Sequence, residues 1–314
     1  MTRTSLKRAM IVIVLGAALA GCGGGGGGGI ASVPTPPPPP PPPPATYTKL
    51  ADMGGDRIFQ TGGVEYDFTA AAFTNGVTRS FGNGVRVAYT QASDSYTLTA
   101  SDNSTATFAP SDVVQPAPGT PPGVLVWRKT SGTTVEQFAL GTPIINNVPL
   151  SYTAIGTWLT AQAGTPNGHV RIGVGGAPTI ASDMPKTGTA SYTTLVGGAA
   201  KDGTNNYTLT GNSSGTFSAN FASGAITTAL TLAGTQAPSG TTVTTFGTFT
   251  GTGTIASGTS GYTGTFSGTA ANGSAATGGF AGGFLGPQAI ETGYGYTLGA
   301  GTLTAVGTLV GVKQ

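Results

Sequence analysis

Two side chains with distinctive chemistry occur once each in the 314-residue sequence: the thiol of Cys22 and the imidazole of His169. With a single cysteine, the chain can form neither an intramolecular disulfide nor a thiolate metal site. With a single histidine, a multi-histidine metal centre is also excluded. These counts remove most metalloenzyme chemistry, and no metal or other cofactor is expected.

His169 and one glycine-rich segment each match part of a catalytic or nucleotide-binding pattern. His169 could serve as the base of a Ser-His-Asp triad, but no G-x-S-x-G nucleophile elbow occurs in the sequence. Because this histidine follows Asn167 and Gly168, we interpret it as a turn or strand-end residue. Segment 251–256 matches the dinucleotide fingerprint G-x-G-x-x-A, yet it lies within a threonine-alternating strand that no helix follows.

Glu291 is the remaining candidate for acid–base chemistry. Its possible carboxylate partners, Asp183 and Asp202, lie in separate loop-like stretches of the sequence. We therefore interpret Glu291 as a charge at the rim of a barrel. The sequence predicts no catalytic, metal-binding or cofactor-binding residue, so the protein is not expected to be an enzyme.

The N-terminal segment has the composition of a cleavable export signal. A basic region, 3–8, precedes an apolar stretch, 9–20, which is shorter than the roughly 20 residues needed to span a bilayer. The stretch ends in Leu-Ala-Gly followed by Cys22, which resembles the lipobox of bacterial lipoproteins. The resemblance implies cleavage before the cysteine and acylation of its thiol and new amino group. Residues 1–21 are therefore predicted to be a lipoprotein signal peptide, and Cys22 the lipidation site.

Residues 22–45 are predicted to be a disordered linker behind the acylated cysteine. Segment 23–29 is an unbroken glycine run, and segment 36–44 consists of nine prolines. A polyproline II helix rises about 3.1 Å per residue, so the proline run is a semi-rigid spacer of roughly 28 Å. A flexible glycine segment followed by a stiff proline segment would hold the folded part of the chain, called the head below, away from a membrane.

The charge balance of the mature chain excludes an electrostatic nucleic-acid site. Three of the 13 Lys and Arg residues lie in the predicted signal, which leaves ten against 11 Asp and Glu residues. The remaining basic residues form no run. Nucleic acid is therefore not an expected partner.

The rest of the chain has the pattern of an all-β protein in two parts. Segment 46–146 contains short β-prone runs bounded by Gly, Asn, Asp and Pro, and we interpret it as a small β-subdomain. Segment 147–314 is almost free of charge, and its residues alternate between threonine or serine and aromatic, aliphatic or glycine residues. A period of two is typical of strands with one buried face. We count about eight to ten such strands, which predicts an antiparallel β-barrel.

The inward face of this barrel is predicted to be packed with its own side chains. Alternation of large and small residues on one face suits a tapering barrel interior, and threonine suits the wet exterior. A barrel of eight strands is just wide enough to be filled by side chains or to hold one small ligand. The residues expected to point inward are Phe217, Phe221, Phe249, Ile255, Tyr262, Phe266 and Leu309.

Three segments of the barrel half resemble the barrel signature of the transferrin-binding protein B family. They read YTGTFSG at 262–268, GFAGGFLGPQAIE at 279–291 and GYGY at 293–296. Leu285 stands where that family more usually has a second aromatic residue. Segments 151–158 and 184–192 resemble the first barrel strands of the same group.

The resemblance implies an eight-stranded barrel at 147–314, preceded by a handle-like β-subdomain at 46–146, in an outer-membrane lipoprotein. Members of the family bind host proteins or solutes through variable loops, so no ligand contact can be assigned to a numbered residue here. The Gly286-Pro287 turn is interpreted as structural, because glycine accepts a positive φ and proline fixes φ near −65°.

These observations favour a non-enzymatic, lipid-anchored protein of the outer membrane, displayed at the cell surface, that binds a protein or solute through barrel and handle loops. Outer-membrane sorting is expected because Gly23, rather than aspartate, follows Cys22, by analogy with known lipoproteins. The expected partners are the membrane, through Cys22, and an unidentified ligand, and the protein is expected to be a monomer. Two alternatives remain open: a structural or adhesive surface lipoprotein, and a lipocalin-like carrier of a small apolar ligand. A transmembrane barrel is disfavoured because the face opposite the aromatic residues is threonine and serine.

Overall fold

A computed structural model describes residues 45–115, 120, 122–203 and 205–314, so the predicted signal peptide, Cys22 and the linker up to residue 44 lie outside the described residues. The described residues form β-strands and five short 3-10 turns, with no α-helix. The strands are β1 (Arg57–Phe59), β2 (Thr61–Phe68), β3 (Phe73–Arg79), β4 (Arg86–Thr90), β5 (Ser95–Thr99), β6 (Thr105–Phe108), β7 (Val113–Val114), β8 (Leu125–Ser131), β9 (Thr134–Gly141), β10 (Ile144–Ile145), β11 (Val148–Pro149), β12 (Thr153–Gln162), β13 (Gly168–Gly176), β14 (Thr189–Asp202), β15 (Asn205–Thr208), β16 (Ser214–Asn220), β17 (Ala225–Gln236), β18 (Val243–Ile255), β19 (Gly261–Thr269), β20 (Ala275–Leu285), β21 (Glu291–Ala300) and β22 (Leu303–Lys313). The 3-10 turns are Leu50–Asp52, Gln91–Ser93, Pro110–Asp112, Ala181–Asp183 and Pro287–Ala289. Within this part of the chain, no helix is long and apolar enough to cross a membrane.

Eight antiparallel strands form a closed ring. Their order is β14, β16, β17, β18, β19, β20, β21 and β22, and β22 pairs back with β14, from Tyr192 opposite Lys313 to Asp202 opposite Leu303. The short strand β15 pairs with both β14 and β17 at one end. The eight-stranded barrel predicted from the alternating pattern is confirmed, as is the β-structure that precedes it.

A seven-stranded sheet, in the order β3-β2-β13-β12-β9-β8-β7, lies between the barrel and a four-stranded sheet, β1-β4-β5-β6. On the barrel side, Val64 packs with Val306, and Val174 packs with Val310. On the opposite side, Trp158 is buried against residues of the four-stranded sheet. The seven-stranded sheet is therefore a middle layer that packs on the barrel with one face and on the four-stranded sheet with the other.

The change from the middle sheet to the barrel falls between Gly176 and Thr189. Strands β12 and β13 pair with each other and with β9 and β2 of the middle sheet. The expectation that segment 151–158 begins the barrel is therefore wrong, and sheet membership does not follow the predicted division at 146/147. Alternation reports that one face of a strand is buried, but not which sheet the strand joins.

A β-bulge explains the one break in the threonine pattern of β18. Phe246 and Phe249 are both buried, although they are three residues apart and should face opposite sides of a regular strand. The register slips here, because Leu232 pairs with Gly247 while Ala233 pairs with Thr245. The extra residue turns both aromatic side chains toward the interior.

In strand β21, aromatic residues and glycines face opposite sides of the barrel wall. Tyr294 and Tyr296 are fully buried in the barrel core. The alternate residues Gly293 and Gly295 face the middle sheet, where they lie against Val174 and Gly63. The aromatic residues of this strand thus fill the barrel core, and the glycines between them allow the middle sheet to pack closely against the barrel.

The barrel interior is filled by its own side chains, as predicted. Its aromatic members are Tyr192, Phe217, Phe221, Phe249, Tyr262, Phe266, Phe280, Phe284, Tyr294 and Tyr296. Neighbouring ring centroids lie close together: Tyr262 is 5.1 Å from Phe284, and Phe280 is 5.0 Å from Tyr294. Of the residues predicted to point inward, six are buried and Ile255 is half-buried at the edge of the core.

Candidate functional site

The described chain begins at one end of the barrel, where it is tied down by hydrogen bonds. The Tyr47 hydroxyl donates to Asp183 Oδ2 at 2.8 Å and accepts from the Ile180 N–H at 2.9 Å. A little further on, the Leu50 N–H donates to the Ser151 carbonyl at 2.8 Å. Burial, reinforced by the Asp183 carboxylate, raises the pKa of Tyr47 to about 12. The hydroxyl therefore stays protonated and able to donate at physiological pH.

The turn after β20 lies at this same end and has the structural role predicted for it. Asp183 also accepts from the Gln288 N–H at 2.9 Å. Gly286 has φ +71°, and its carbonyl accepts a bond from the Thr179 hydroxyl at 2.7 Å. A side chain at Gly286 would collide with the ring of Tyr152. The turn is thus held in place by hydrogen bonds to the segment before β14.

Glu291 begins β21 at the barrel rim, where the sequence analysis placed it, and its side chain is buried there. It is 4% exposed. Its carboxylate accepts N–H bonds from Ser151 at 2.6 Å and Tyr152 at 2.9 Å, and an O–H bond from Thr153 at 2.8 Å. Glu291 therefore clamps the start of β12 to the barrel.

The strand pairing assigns six of the barrel turns to one of two ends. The near end, where the described chain begins, has the turns 221–224, 256–260 and 286–290. At the opposite end, the turns 237–242, 270–274 and 301–302 connect the same strands.

Turns of the middle sheet reach the same opposite end. The Lys201 ammonium donates to the Ala70 carbonyl at 3.0 Å, and the Phe73 N–H donates to the Thr304 hydroxyl at 3.3 Å. These contacts place the β2–β3 turn beside the barrel turns. By strand register, turns 132–133 and 163–167 lie at the same edge of the sheet. We call this set the distal loops: 69–72, 132–133, 163–167, 237–242, 270–274 and 301–302.

The distal loops are exposed and uncharged. They consist of Ala, Gly, Ser, Thr, Asn and Pro, without a single Lys, Arg, Asp or Glu. Most of their residues are exposed, including all five of 163–167 and the four at 239–242. Such a surface can recognise a partner through backbone groups, hydroxyls and amides, with little contribution from long-range electrostatics.

His169 lies at the start of β13, close to the distal loops, in agreement with its interpretation as a strand-end residue. Its Nδ1 is 2.6 Å from Asp67 Oδ1 on the paired strand β2, and its Nε2 is buried without a hydrogen-bond partner. Across the residues that the structure describes, no group of three or more His, Cys, Asp or Glu side chains could hold a metal ion. The pair is best described as a cross-strand polar contact.

Sequence reasoning missed a charged cluster between the middle and four-stranded sheets. Arg171 donates to Asp102 at 2.9 Å and lies 4.6 Å from the ring centroid of Trp158. Arg79 donates to Glu65 at 2.9 Å, on the strand next to Arg171. The sequence did contain a signal for this cluster. The acidic and basic residues of β2 and β13 all have odd numbers, so they lie on one face of the two strands: Glu65, Asp67, His169 and Arg171. The cluster joins two layers of the fold, since Asp102 belongs to the β5–β6 turn.

Sequence comparisons found no match: no family model matches the chain, and no curated protein does. Among solved structures, the chain is similar to transferrin-binding protein B from serogroup B Neisseria meningitidis, with 16% identity and a TM-score of 0.44 over 81% of this chain and 43% of that one. It is also similar to a double mutant of transferrin-binding protein B from Haemophilus parasuis, with 15% identity and a TM-score of 0.40 over 80% of this chain and 60% of that one. The chain thus spans about half the length of these proteins. The structural similarity is to the same family that the motifs at 262–296 resemble.

Proposed function

We propose that the protein is an outer-membrane lipoprotein, anchored through Cys22, that binds a protein ligand through its distal loops. The proposal combines the predicted lipidation signal with the position of residues 47–50 at the near end of the barrel. It concerns a binding protein rather than an enzyme, and nucleic acid is not among the proposed ligands.

The position of Tyr47 is the observation that carries this proposal. Because Tyr47 and Leu50 are bonded to the near end, the linker joins the head at that end. A head held by a linker at one end presents its opposite end to whatever lies beyond the membrane surface. The distal loops are therefore the part of the molecule best placed to meet a partner.

The breadth of the distal loops favours a protein over a small solute. They hold about two dozen residues drawn from both the barrel and the middle sheet. A protein–protein interface of standard size uses about 20–30 residues on each side. The alternative of a small ligand inside the barrel is disfavoured because aromatic side chains occupy the interior.

Site-directed photo-crosslinking on intact cells tests the proposal. A photoreactive residue at Ser239, in a distal loop, is compared with one at Ser257, in a near-end turn; both positions are exposed. We expect a crosslinked protein of defined mass from position 239 and none from position 257. A crosslink from 257 alone, or none from either position in the presence of host or medium proteins, would contradict the proposal.

The uncharged character of the distal loops gives the test a second readout. Exposed charge pairs are screened by salt, whereas hydrogen bonds and apolar contacts are much less so. We therefore expect the yield of the Ser239 crosslink to change little between low and physiological ionic strength. A steep loss with salt would place the interface on charged surfaces elsewhere.

A further inference from the structure

A wedge-shaped cleft separates the middle sheet from one side of the barrel. Strands β2 and β13 pack directly against the barrel wall, where Val64 contacts Val306 and Val174 contacts Val310. Beyond β13, the sheet continues through β12 and β9. The barrel wall, however, curves away from the sheet between β22 and β14, where the ring closes. Between these diverging surfaces lies a cavity of about 630 Å³.

Both walls of the cleft are aliphatic. The sheet contributes Ile155 and Ile172, and the barrel contributes Leu195 and Val310. Ile144, on the short β10–β11 hairpin, closes one side. Leu195 and Ile144 both line the cavity and remain 37% and 38% exposed, so apolar surface of each is open to an occupant.

The polar groups of the cleft are few and uncharged. Threonine hydroxyls at Thr157, Thr210 and Thr308 and the amide of Asn147 are present, but no ionisable side chain of the described residues lines the cavity. An unpaired charge carried into such a site would lose its hydration without compensation. The chemistry of the lining therefore selects an uncharged, largely apolar occupant.

The cavity is too small for a helical segment and suits a small molecule. A helix with side chains is about 10–12 Å in diameter, so two turns of it occupy on the order of 1,000 Å³. The observed volume is smaller than that and lies within the roughly 300–1,000 Å³ of ordinary small-molecule sites. A single alkyl chain has the shape and chemistry that the two aliphatic walls require.

We propose that this cleft, outside the barrel and away from the distal loops, binds an uncharged molecule with a long alkyl chain. Burial of the exposed faces of Leu195 and Ile144 against the alkyl chain would contribute to the affinity, because it removes apolar surface from water. The threonine hydroxyls would donate hydrogen bonds to a neutral polar head group or accept hydrogen bonds from it. The site is independent of the proposed protein ligand.

The structure provides a matched pair of glycines with which to test the site. Gly197 faces the cleft from β14, and a Cβ there would meet only the Thr210 hydroxyl, at 3.2 Å. Gly299 lies on β21, outside the cleft lining, and a Cβ there would meet nothing within 4 Å. Gly197→Leu should fill the cleft. Gly299→Leu is the control, because it makes the same change on the outer surface of the barrel, away from the cleft.

The assay uses the soluble head, residues 45–314, with the uncharged fluorophore N-phenyl-1-naphthylamine and with 1-dodecanol as competitor below its solubility limit. We expect fluorescence to rise on binding, to fall with dodecanol, and to show at least a tenfold weaker affinity in Gly197→Leu but an unchanged affinity in Gly299→Leu. Thermal unfolding of each variant checks that it is folded. If Gly197→Leu does not fold, Leu195→Glu at the cleft mouth replaces it, with the same expected loss.

Two results would overturn the proposal: the absence of any dodecanol-displaceable binding to the wild-type head, or equal affinities of the folded cleft and control variants. Neither result bears on the distal loops, which are tested by crosslinking at Ser239. Failure of one proposal is therefore distinguishable from failure of the other.

Discussion

The backbone of Gly295 in the barrel lies directly against that of Gly63 in the middle sheet. A Cβ placed on Gly295 would be 2.5 Å from the Gly63 carbonyl carbon, a separation that real Cβ atoms essentially never show. The contact is between two backbones, so no flexible side chain can move to relieve a collision. Layer and barrel can meet this closely only because residue 295 has no Cβ, whereas a Cβ on Gly63 would instead collide with the Ile172 carbonyl on the neighbouring strand β13.

We predict that Gly295→Ala destabilises the protein by about 1–3 kcal/mol, as expected for overpacking of a tight contact. Gly299→Ala, two residues along the same strand and facing open space, should change stability by less than about 0.5 kcal/mol. Urea unfolding of the two variants measures the difference. Equal stabilities would show that the sheet and barrel do not approach as described.

Phe266→Ala should lower the free energy of unfolding by about 3–5 kcal/mol, the usual cost of removing a buried phenyl ring. The ring is 3% exposed and lies 5.0 Å from that of Phe280. Thr265→Ala, on the exposed face of the same strand, is the control and should be nearly neutral. If Phe266→Ala left stability unchanged but lost a co-purifying apolar molecule, the barrel would be a lipocalin-like carrier.

Glu291→Gln should destabilise the protein by about 2–3 kcal/mol. The carboxylate accepts three hydrogen bonds with its two oxygens, whereas the glutamine amide has one acceptor oxygen and an NH₂ group that can only donate. Glu136→Gln provides the same chemical change at a partly exposed ion pair with Lys129, where the expected cost is below about 1 kcal/mol. Chemical denaturation compares them. Similar costs would show that the Glu291 clamp contributes no more than a surface pair.

Stability should fall in acid partly through Asp102. Hydrogen bonds from the hydroxyl and N–H of Ser104, together with the Arg171 guanidinium, hold the pKa of Asp102 at about 2, below its usual 3.8. A carboxyl whose folded pKa is depressed stabilises the fold fully above the unfolded value and loses that contribution as pH falls through the folded value. Asp102→Asn should therefore flatten the fall in melting temperature between about pH 4 and pH 2. An unchanged slope in this window would remove Asp102 from the acid response.

Cys22→Ala should abolish lipidation and leave an unprocessed or soluble form. Intact mass spectrometry of the wild type should show a mature chain that begins at an acylated Cys22, and fractionation should recover it with the outer membrane. A mature N-terminus elsewhere would refute the lipidation site. Recovery with the inner membrane would instead refute only the sorting prediction.

The fold class could be read from the sequence because alternation with a period of two is a local property of each strand. Tyr262 and Phe266 were placed inside the barrel on that basis, and they are buried there. The assignment of segment 151–158 failed because sheet membership depends on long-range pairing, which no local pattern encodes. The break at Phe246 was visible in the sequence, but its cause, a register slip against β17, required the partner strand.

The site could be predicted less well than the fold. His169 was correctly placed at a strand end, but its contact with Asp67 depends on the pairing of β13 with β2, across 102 residues of sequence. Glu291 was placed at the rim, and its burial depends on a segment about 140 residues earlier. The cleft left no local signal, since it arises where a sheet and a curved wall diverge.

The pairing of β14 with β22 has a consequence for how the chain reaches its folded state. A ribosome produces β14 more than 100 residues before β22, so the ring stays open, with an unpaired edge, until the last strand has been made. Contacts between such distant segments form slowly, because a long loop must close before they return any free energy. Until β22 is in place, the free edge of β14 can pair with a neighbouring chain.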